Sequence, residues 1–193
     1  PRTVTPTGSF WQNFGEGVRF TAHDKPIRTV MSVIVVTETL GFSSRSMFPV
    51  VVRDLLHGGP VALGLLSTLW SAGGLIATIA LSWIGHVRAK GWAFVGAATG
   101  FGSVLLLFSL SRNLPLSLAL AMLAGGSGVI YDVMANTLLQ TLAPDAMRGR
   151  VMGLYSVLVS GFNLGAIVMG GIASLWGVAA AIGAGGGAVS LNA

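Results

Sequence analysis

Of 193 residues, 53% are hydrophobic and only 9% charged, with a mean hydropathy of +0.79, which leaves too little polar surface for a water-soluble domain. The formal charge of +5 comes from basic residues scattered in ones and twos between apolar runs, with no interleaved basic and aromatic face, so no nucleic acid is expected as a partner. The absence of cysteine removes disulfides and thiolate metal sites and says nothing further about the compartment.

A bilayer is the solvent that fits this composition. Its hydrocarbon layer is about 30 Å thick and a helix rises about 1.5 Å per residue, so each crossing takes roughly 20 mainly apolar residues. A transmembrane barrel would show short alternating segments, whereas the apolar runs here are long, unalternating and rich in Leu, Ala, Gly and Val. The expected fold is an all-α integral membrane protein, a six-helix transmembrane bundle.

In chain order, 1–27 reads as a cytoplasmic linker. PRTVTPTGS is a loop punctuated by prolines; in FWQNFGEGVRFTAHDK, Phe10, Trp11, Phe14 and Val18 recur at near-helical spacing and form one apolar stripe of a helix lying in the headgroup region. Gly15 and Gly17 weaken that helix, and a plain connecting loop is the competing reading. The bundle occupies 28–193. Its first span, 28–53, carries Glu38 and Arg45 and is the least apolar; HGGP (57–60) ends it. The second span is 61–84, followed by the basic connection GHVRAKG (85–91), and the third is 91–110. SRNLP (111–115) opens the fourth, 114–139. TLAPDAMRGR (141–150) is a polar loop in which Pro144 and Asp145 suit the start of a helix. The fifth span is 151–175 and the sixth 176–193. A Pro1 start without a secretory signal, and a last span without a polar tail, lead us to expect a piece of a longer chain.

Charge orients these spans, because Lys and Arg collect on the cytoplasmic side. With the amino-terminal segment cytoplasmic, that side receives Arg2, Arg19, Lys25, Arg28, Arg88, Lys90, Arg148 and Arg150, and the outer side only Arg45, Arg53 and Arg112. Losing one span would scramble this bias, so it supports the count and places both ends in the cytoplasm of a multi-pass protein of the cell (inner) membrane. Glycines supply the close backbone approach that helix packing in lipid requires: Gly96 and Gly100, Gly125, Gly126 and Gly128, Gly161 and Gly165, Gly170 and Gly171, and the cluster from Gly183 to Gly187. No strand-turn-helix unit surrounds them, so they are not a dinucleotide fingerprint.

An acid in the hydrocarbon layer costs a few kcal/mol on insertion scales and usually faces a polar interior. Glu38, about ten residues into the first span, and Asp132 are therefore the sharpest candidates for proton coupling or substrate lining. Asp132 shares a helix face with Asn136 and Gln140, beside Tyr131. Arg45, seven residues after Glu38 on roughly the same face, is a candidate counter-ion or a snorkelling side chain. Thr37, Ser67, Trp70, Ser71 and Asn163 supply weaker polar or aromatic lining. The competing structural reading pairs Glu38 with Arg45 or the backbone and gives Asp132 a helix-tying role. No catalytic constellation is visible. Ser127 follows Gly125 and Gly126 but Val129 stands where GxSxG needs glycine; His23, His57 and His86 lie between spans; no HExxH, paired metal-spaced histidines or phosphate-binding loop occurs. Neither a metal nor a cofactor is expected, and the protein reads as a non-enzyme.

The stretch TLLQTLAPDAMRGRVMGLYSVLVSGFNLGAIVMGGIAS (137–174) resembles the major facilitator superfamily, in the branch that holds the enterobactin exporter and macrolide efflux pumps. Its mark is Q-x-x-x-P-x-x-x-R-G-R-V, here Gln140, Pro144, Arg148, Gly149, Arg150 and Val151. FGEGVRFTAHDKPIRTV resembles that family's segment before the seventh span, FPVVVRDLLHGGPVALGLL the approach to the eighth, and GHVRAKG the basic loop after it. The resemblance implies the second half of a twelve-span fold, a proton-coupled exporter of a small amphipathic drug or siderophore working by alternating access. It also implies, as partners, the lipid bilayer, the amino-terminal six-span half of the same transporter, a small-molecule substrate and protons. Within the motif, Asp145 would cap a helix start and Arg148 and Arg150 would stay in the cytoplasm. One departure is that GHVRAKG lacks the acid of the superfamily's signature loop, leaving Arg88 and Lys90 to meet acids of the other half. The alternative function is a membrane-embedded interaction or sensor module that moves no solute.

Overall fold

The computed structural model describes residues 10–84, 89–160 and 162–193; the side chains of 10–13 and 162–164 lie outside that description. So do Arg2, His86, Arg88 and Gly161, together with the side chains of Phe10, Trp11 and Asn163.

The linker region forms a helix, α1 (Phe10–His23). Its glycines are tolerated because one is a contact: a Cβ on Gly17 would meet the Arg150 carbonyl oxygen at 3.2 Å, so the helix lies directly against the backbone of a later helix. Asp24 then turns the chain. Its Oδ1 accepts the Ile27 N–H at 3.0 Å, capping α2 (Lys25–Val36), whose Pro26 sits in the first turn where no N–H is missed. The rod starts at Lys25 rather than at 28 and buries Ile27, Val30, Met31, Val33 and Ile34. Beyond Val36 it changes pitch: a π turn over Thr37–Gly41, a 3₁₀ stretch over Phe42–Met47, one α turn at Phe48–Val50 and a second π turn over Val51–Leu55.

Regular helices follow: α3 (Pro60–Ile84), α4 (Lys90–Leu110), α5 (Leu114–Leu142), α6 (Asp145–Ser160), α7 (Phe162–Trp176) and α8 (Val178–Asn192). By length and apolarity, α3, α4, α5 and the α6–α7 stretch each suffice to cross a bilayer, and α8 is a shorter apolar helix. The outward faces carry large apolar side chains, such as Trp83 at 86% and Ile167 at 72% exposure, the reverse of a soluble bundle. The chain forms an all-α membrane bundle.

Further helix contacts are made backbone to backbone. Gly73 of α3 faces the Met122 carbonyl of α5 while Gly125 of α5 faces the Trp70 carbonyl of α3. Gly102 of α4 and Gly186 of α8 each present their Cα to the other's carbonyl, where a Cβ would fall 2.6 Å away. Gly165 of α7 and Gly185 of α8 lie on the Thr39 and Leu40 carbonyls of the rod. Gly96, Gly100, Gly170 and Gly171, read from the sequence as packing positions, have nothing within 4 Å of a notional Cβ. Gly177, at φ 86, separates α7 from α8 in a conformation side chains rarely adopt.

Two apolar cores result. One gathers Phe48, Trp70, Phe101 and Phe108; the other gathers Ile34, Phe94, Tyr131, Leu139 and Tyr155. Phe42 packs against both, 4.9 Å from the Phe101 ring and 6.2 Å from Tyr131, which sets the irregular part of the rod at their junction.

Candidate functional site

The site is built on that irregularity. In the π turn the Phe42 N–H reaches back to the Thr37 carbonyl, one residue beyond α-helical reach, and the tighter 3₁₀ stretch follows at once. The change of pitch disturbs the regular carbonyl ladder, and serines supply donors: Ser43 Oγ donates to the Glu38 carbonyl (3.3 Å), Ser44 Oγ to Leu40 (3.1 Å) and Ser46 Oγ to Ser43 (2.6 Å). Thus the sequence TETLGFSSRSM supports an uneven helix inside a bundle, where unpaired backbone groups are costly.

Glu38 lies in the first part of the π turn and is 5% exposed. Its carboxyl makes no hydrogen bond or ion pair among the described residues and opens onto a cavity of about 230 Å³ lined by Glu38, Phe42, Arg45, Asp132 and Val159. Three of the four sequence candidates for the site, Glu38, Asp132 and Arg45, thus share one cavity. Arg45 is exposed and forms no ion pair among the described residues, so the Glu38–Arg45 pairing considered from sequence is not made.

Asp132, on α5, accepts a hydrogen bond at Oδ1 from the Tyr155 hydroxyl of α6. Asn136, one turn along α5, accepts from Gln140 Nε2 at 2.5 Å and stands beside the Tyr155 phenol. Deeper still, Thr37 Oγ1 and Tyr131 OH are neighbours, both fully buried and both without a hydrogen-bond partner among the described residues. Tyr155, Phe42 and Val159 were not read from the sequence as site residues. Trp70 belongs to the core, in edge contact with Phe48 and Phe101, and Ser71 closes on the Ser67 carbonyl of its own helix.

The cavity's charge balance is its chemical content. With both carboxyls ionised against one guanidinium it carries one net negative charge; with one carboxyl protonated it is neutral. A single proton therefore changes the electrostatics of a small space.

The loop motif lies apart, at the α5–α6 connection. Arg148 donates from Nε to the Gln140 carbonyl (3.1 Å) and pairs through its terminal nitrogen with Asp145 (2.7 Å). Asp145 was read as a capping side chain; its carboxylate instead pairs with Arg148 one turn on, and the Pro144 carbonyl takes the N–H groups of Met147 and Arg148 at 2.9 Å. Gly149 is exposed with open space around it. Arg150 pairs with Glu16 of α1 at 2.8 Å and also meets the Met147 sulfur. Beyond the mouth of the basic loop, Lys90 donates to Thr141 Oγ1 at 3.2 Å, drawing the start of α4 to the end of α5.

The chain is similar in sequence to known export proteins. The multidrug efflux pump Tap of Mycolicibacterium fortuitum is 28% identical over 168 residues, covering 84% of this chain and 40% of the pump. The enterobactin exporter EntS of Citrobacter koseri is 28% identical over 138 residues, 71% of this chain and 33% of the exporter, and EntS of Escherichia coli O1:K1 is 25% identical over the same length. The chain thus spans less than half the length of these relatives, which are transporters. No solved structure matches. A family model described as transmembrane secretion effector matches residues 1–193, and the chain belongs to that family, within the major facilitator superfamily.

Proposed function

We propose that this chain is the second, six-crossing half of a secondary active exporter that moves a small amphipathic molecule, a drug or a siderophore, out of the cell in exchange for protons. The observation that carries the reading is the cavity in which Glu38 and Asp132 meet with, among the described residues, Arg45 alone to balance them. Glu38 and Asp132 are assigned to proton coupling and Arg45 and Asn136 to the lining, and the motif from Gln140 to Arg150 to holding the cytoplasmic connection. The relatives' names, a multidrug pump and enterobactin exporters, support the substrate class. Alternating access follows from rocking of this bundle against an amino-terminal six-span half around the shared cavity. Six crossings place both ends on the cytoplasmic side of the inner membrane, in keeping with the basic loops.

The test uses the full-length transporter in inverted membrane vesicles, with an amphipathic fluorescent dye and a catecholate siderophore as probes. Glu38→Gln and Asp132→Asn are each expected to abolish proton-driven accumulation while the protein still inserts at wild-type level. Unchanged transport in both variants would overturn the assignment.

A further inference from the structure

The two carboxyls of the cavity are not equivalent, and the difference lies in their partners. Asp132 already holds a hydrogen bond, from the Tyr155 hydroxyl, and this bond spans two helices, α5 and α6. Glu38 has no such partner among the described residues and faces the cavity directly. A carboxylate that accepts a hydrogen bond from a hydroxyl is held in place by it; an unbonded one is open to whatever fills the cavity. Tyr155 also sits one helical turn before Val159, the residue by which α6 lines the cavity, so the phenol and the cavity wall share a face. The groups facing Glu38 are Asp132 and Tyr131 from α5, Tyr155 from α6 and Arg45 from its own rod. Neither α7 nor α8 carries a titratable side chain.

We propose that, of the two coupling carboxyls, Glu38 takes up and releases the proton while Asp132 serves as its fixed charged neighbour, and that Tyr155 is a positioning residue which, through Asp132, holds the Val159 end of α6 against the cavity. The inference rests on the proton-coupled reading and divides its labour. Asp132 becomes the fixed anchor of a tie between helices.

A cysteine at position 159 reports the wall, and this chain contributes no cysteine of its own. Full-length Val159→Cys protein in membranes is labelled with N-ethylmaleimide from about pH 5 to about pH 9. Each rate is divided by that of a cysteine at exposed Gly59, which corrects for the thiol's own titration. The ratio is expected to vary with pH in the reference, and to lose that variation in Glu38→Gln. In Tyr155→Phe it keeps the variation but rises about tenfold at every pH, the loss expected for one hydrogen bond to a charged group. Asp132→Asn retains an oxygen for Tyr155 and is expected to follow the reference in both respects. Loss of pH variation in Asp132→Asn with its survival in Glu38→Gln would reverse the assignment, and a Tyr155→Phe ratio equal to the reference would remove the tie. A reference that ignores pH would overturn the proton-exchange reading itself, while the Tyr155→Phe arm would still decide whether α6 is held.

Discussion

The contact between α3 and α5 makes a sharp prediction, because nothing in it is able to yield cheaply. A methyl group on Gly125 would overlap the Trp70 carbonyl oxygen and lie 2.7 Å from its carbon and 3.0 Å from Trp70 Cα. These are backbone atoms in mid-helix, not the end of a flexible side chain. Restoring ordinary carbon contact at about 3.5 Å would already require the helices to part by about 0.8 Å locally, and clearing the overlapped carbonyl oxygen requires more. Overpacking of this size costs about 1–3 kcal/mol, and the parted helices also forfeit dispersion along the rest of the crossing. Gly125→Ala is therefore expected to lower the unfolding midpoint of the detergent-solubilised transporter, read by tryptophan fluorescence against denaturing detergent. Gly96→Ala is the control: it has nothing within 4 Å, and removing a mid-helix glycine favours the helix by up to about 1 kcal/mol. The same strain is mirrored at Gly73 against Met122, so Gly73→Ala with Gly125→Ala should cost less than the sum of the two, the helices having already parted. Equal midpoints for Gly125→Ala and Gly96→Ala would refute the close crossing.

Two further expectations concern the cytoplasmic connection. Arg148→Lys retains a charge for Asp145 but cannot reproduce the forked reach to the Gln140 carbonyl, so amide hydrogen exchange across 141–150 should quicken; Asp145→Asn, at a carboxylate 90% exposed, should change it far less. Glu16→Gln removes a half-exposed ion pair worth less than about 1 kcal/mol, and its effect on exchange in α1 should vanish at high salt. Gly17→Val pushes against the Arg150 backbone and should free α1 at any salt; if Glu16→Gln and Gly17→Val behave alike, the helix is not docked by close approach.

What the sequence made legible follows from what a bilayer penalises. Glu38 and Asp132 stood out because an acid is expensive in hydrocarbon wherever its helix faces, and the cavity holds both. Tyr155 did not, since a phenol is common in membrane helices and its partner is 23 residues away on another helix. The π turn was equally hidden: TETLG carries no periodicity that separates it from α-helix, and only the neighbours at Gly165 and Gly185 reveal where its carbonyls point. Glycine content indicated close contacts without telling which faces meet, so Gly96 and Gly100 were read as contacts and Gly73 was not. The helix start read at Pro144 and Asp145 is where α6 begins, ahead of the apolar span that opens at 151. Hydropathy ends a span at its first charges, whereas DAMRGR continues the helix because Arg148 and Arg150 find partners on Gln140, Asp145 and Glu16.

The kinds of contact also divide the bundle mechanically. Where α3 meets α5, and α4 meets α8, backbone lies on backbone, and any sliding would open a gap that lipid tails cannot fill without loss of dispersion. α6 is held for the most part otherwise: besides the approach of Gly17 to its Arg150 backbone, Arg150 pairs with Glu16, Arg148 reaches the Gln140 carbonyl and Tyr155 reaches Asp132, three polar ties among the described residues, with few close backbone contacts to α5. Polar ties break and re-form with water or a new partner at small net cost, because each group exchanges one hydrogen bond for another. The element that lines the cavity through Val159 is thus tied mainly by bonds of this exchangeable kind, and the residue that meets it there, Glu38, sits where the rod has changed its pitch, with the glycine-locked helices as the frame around both.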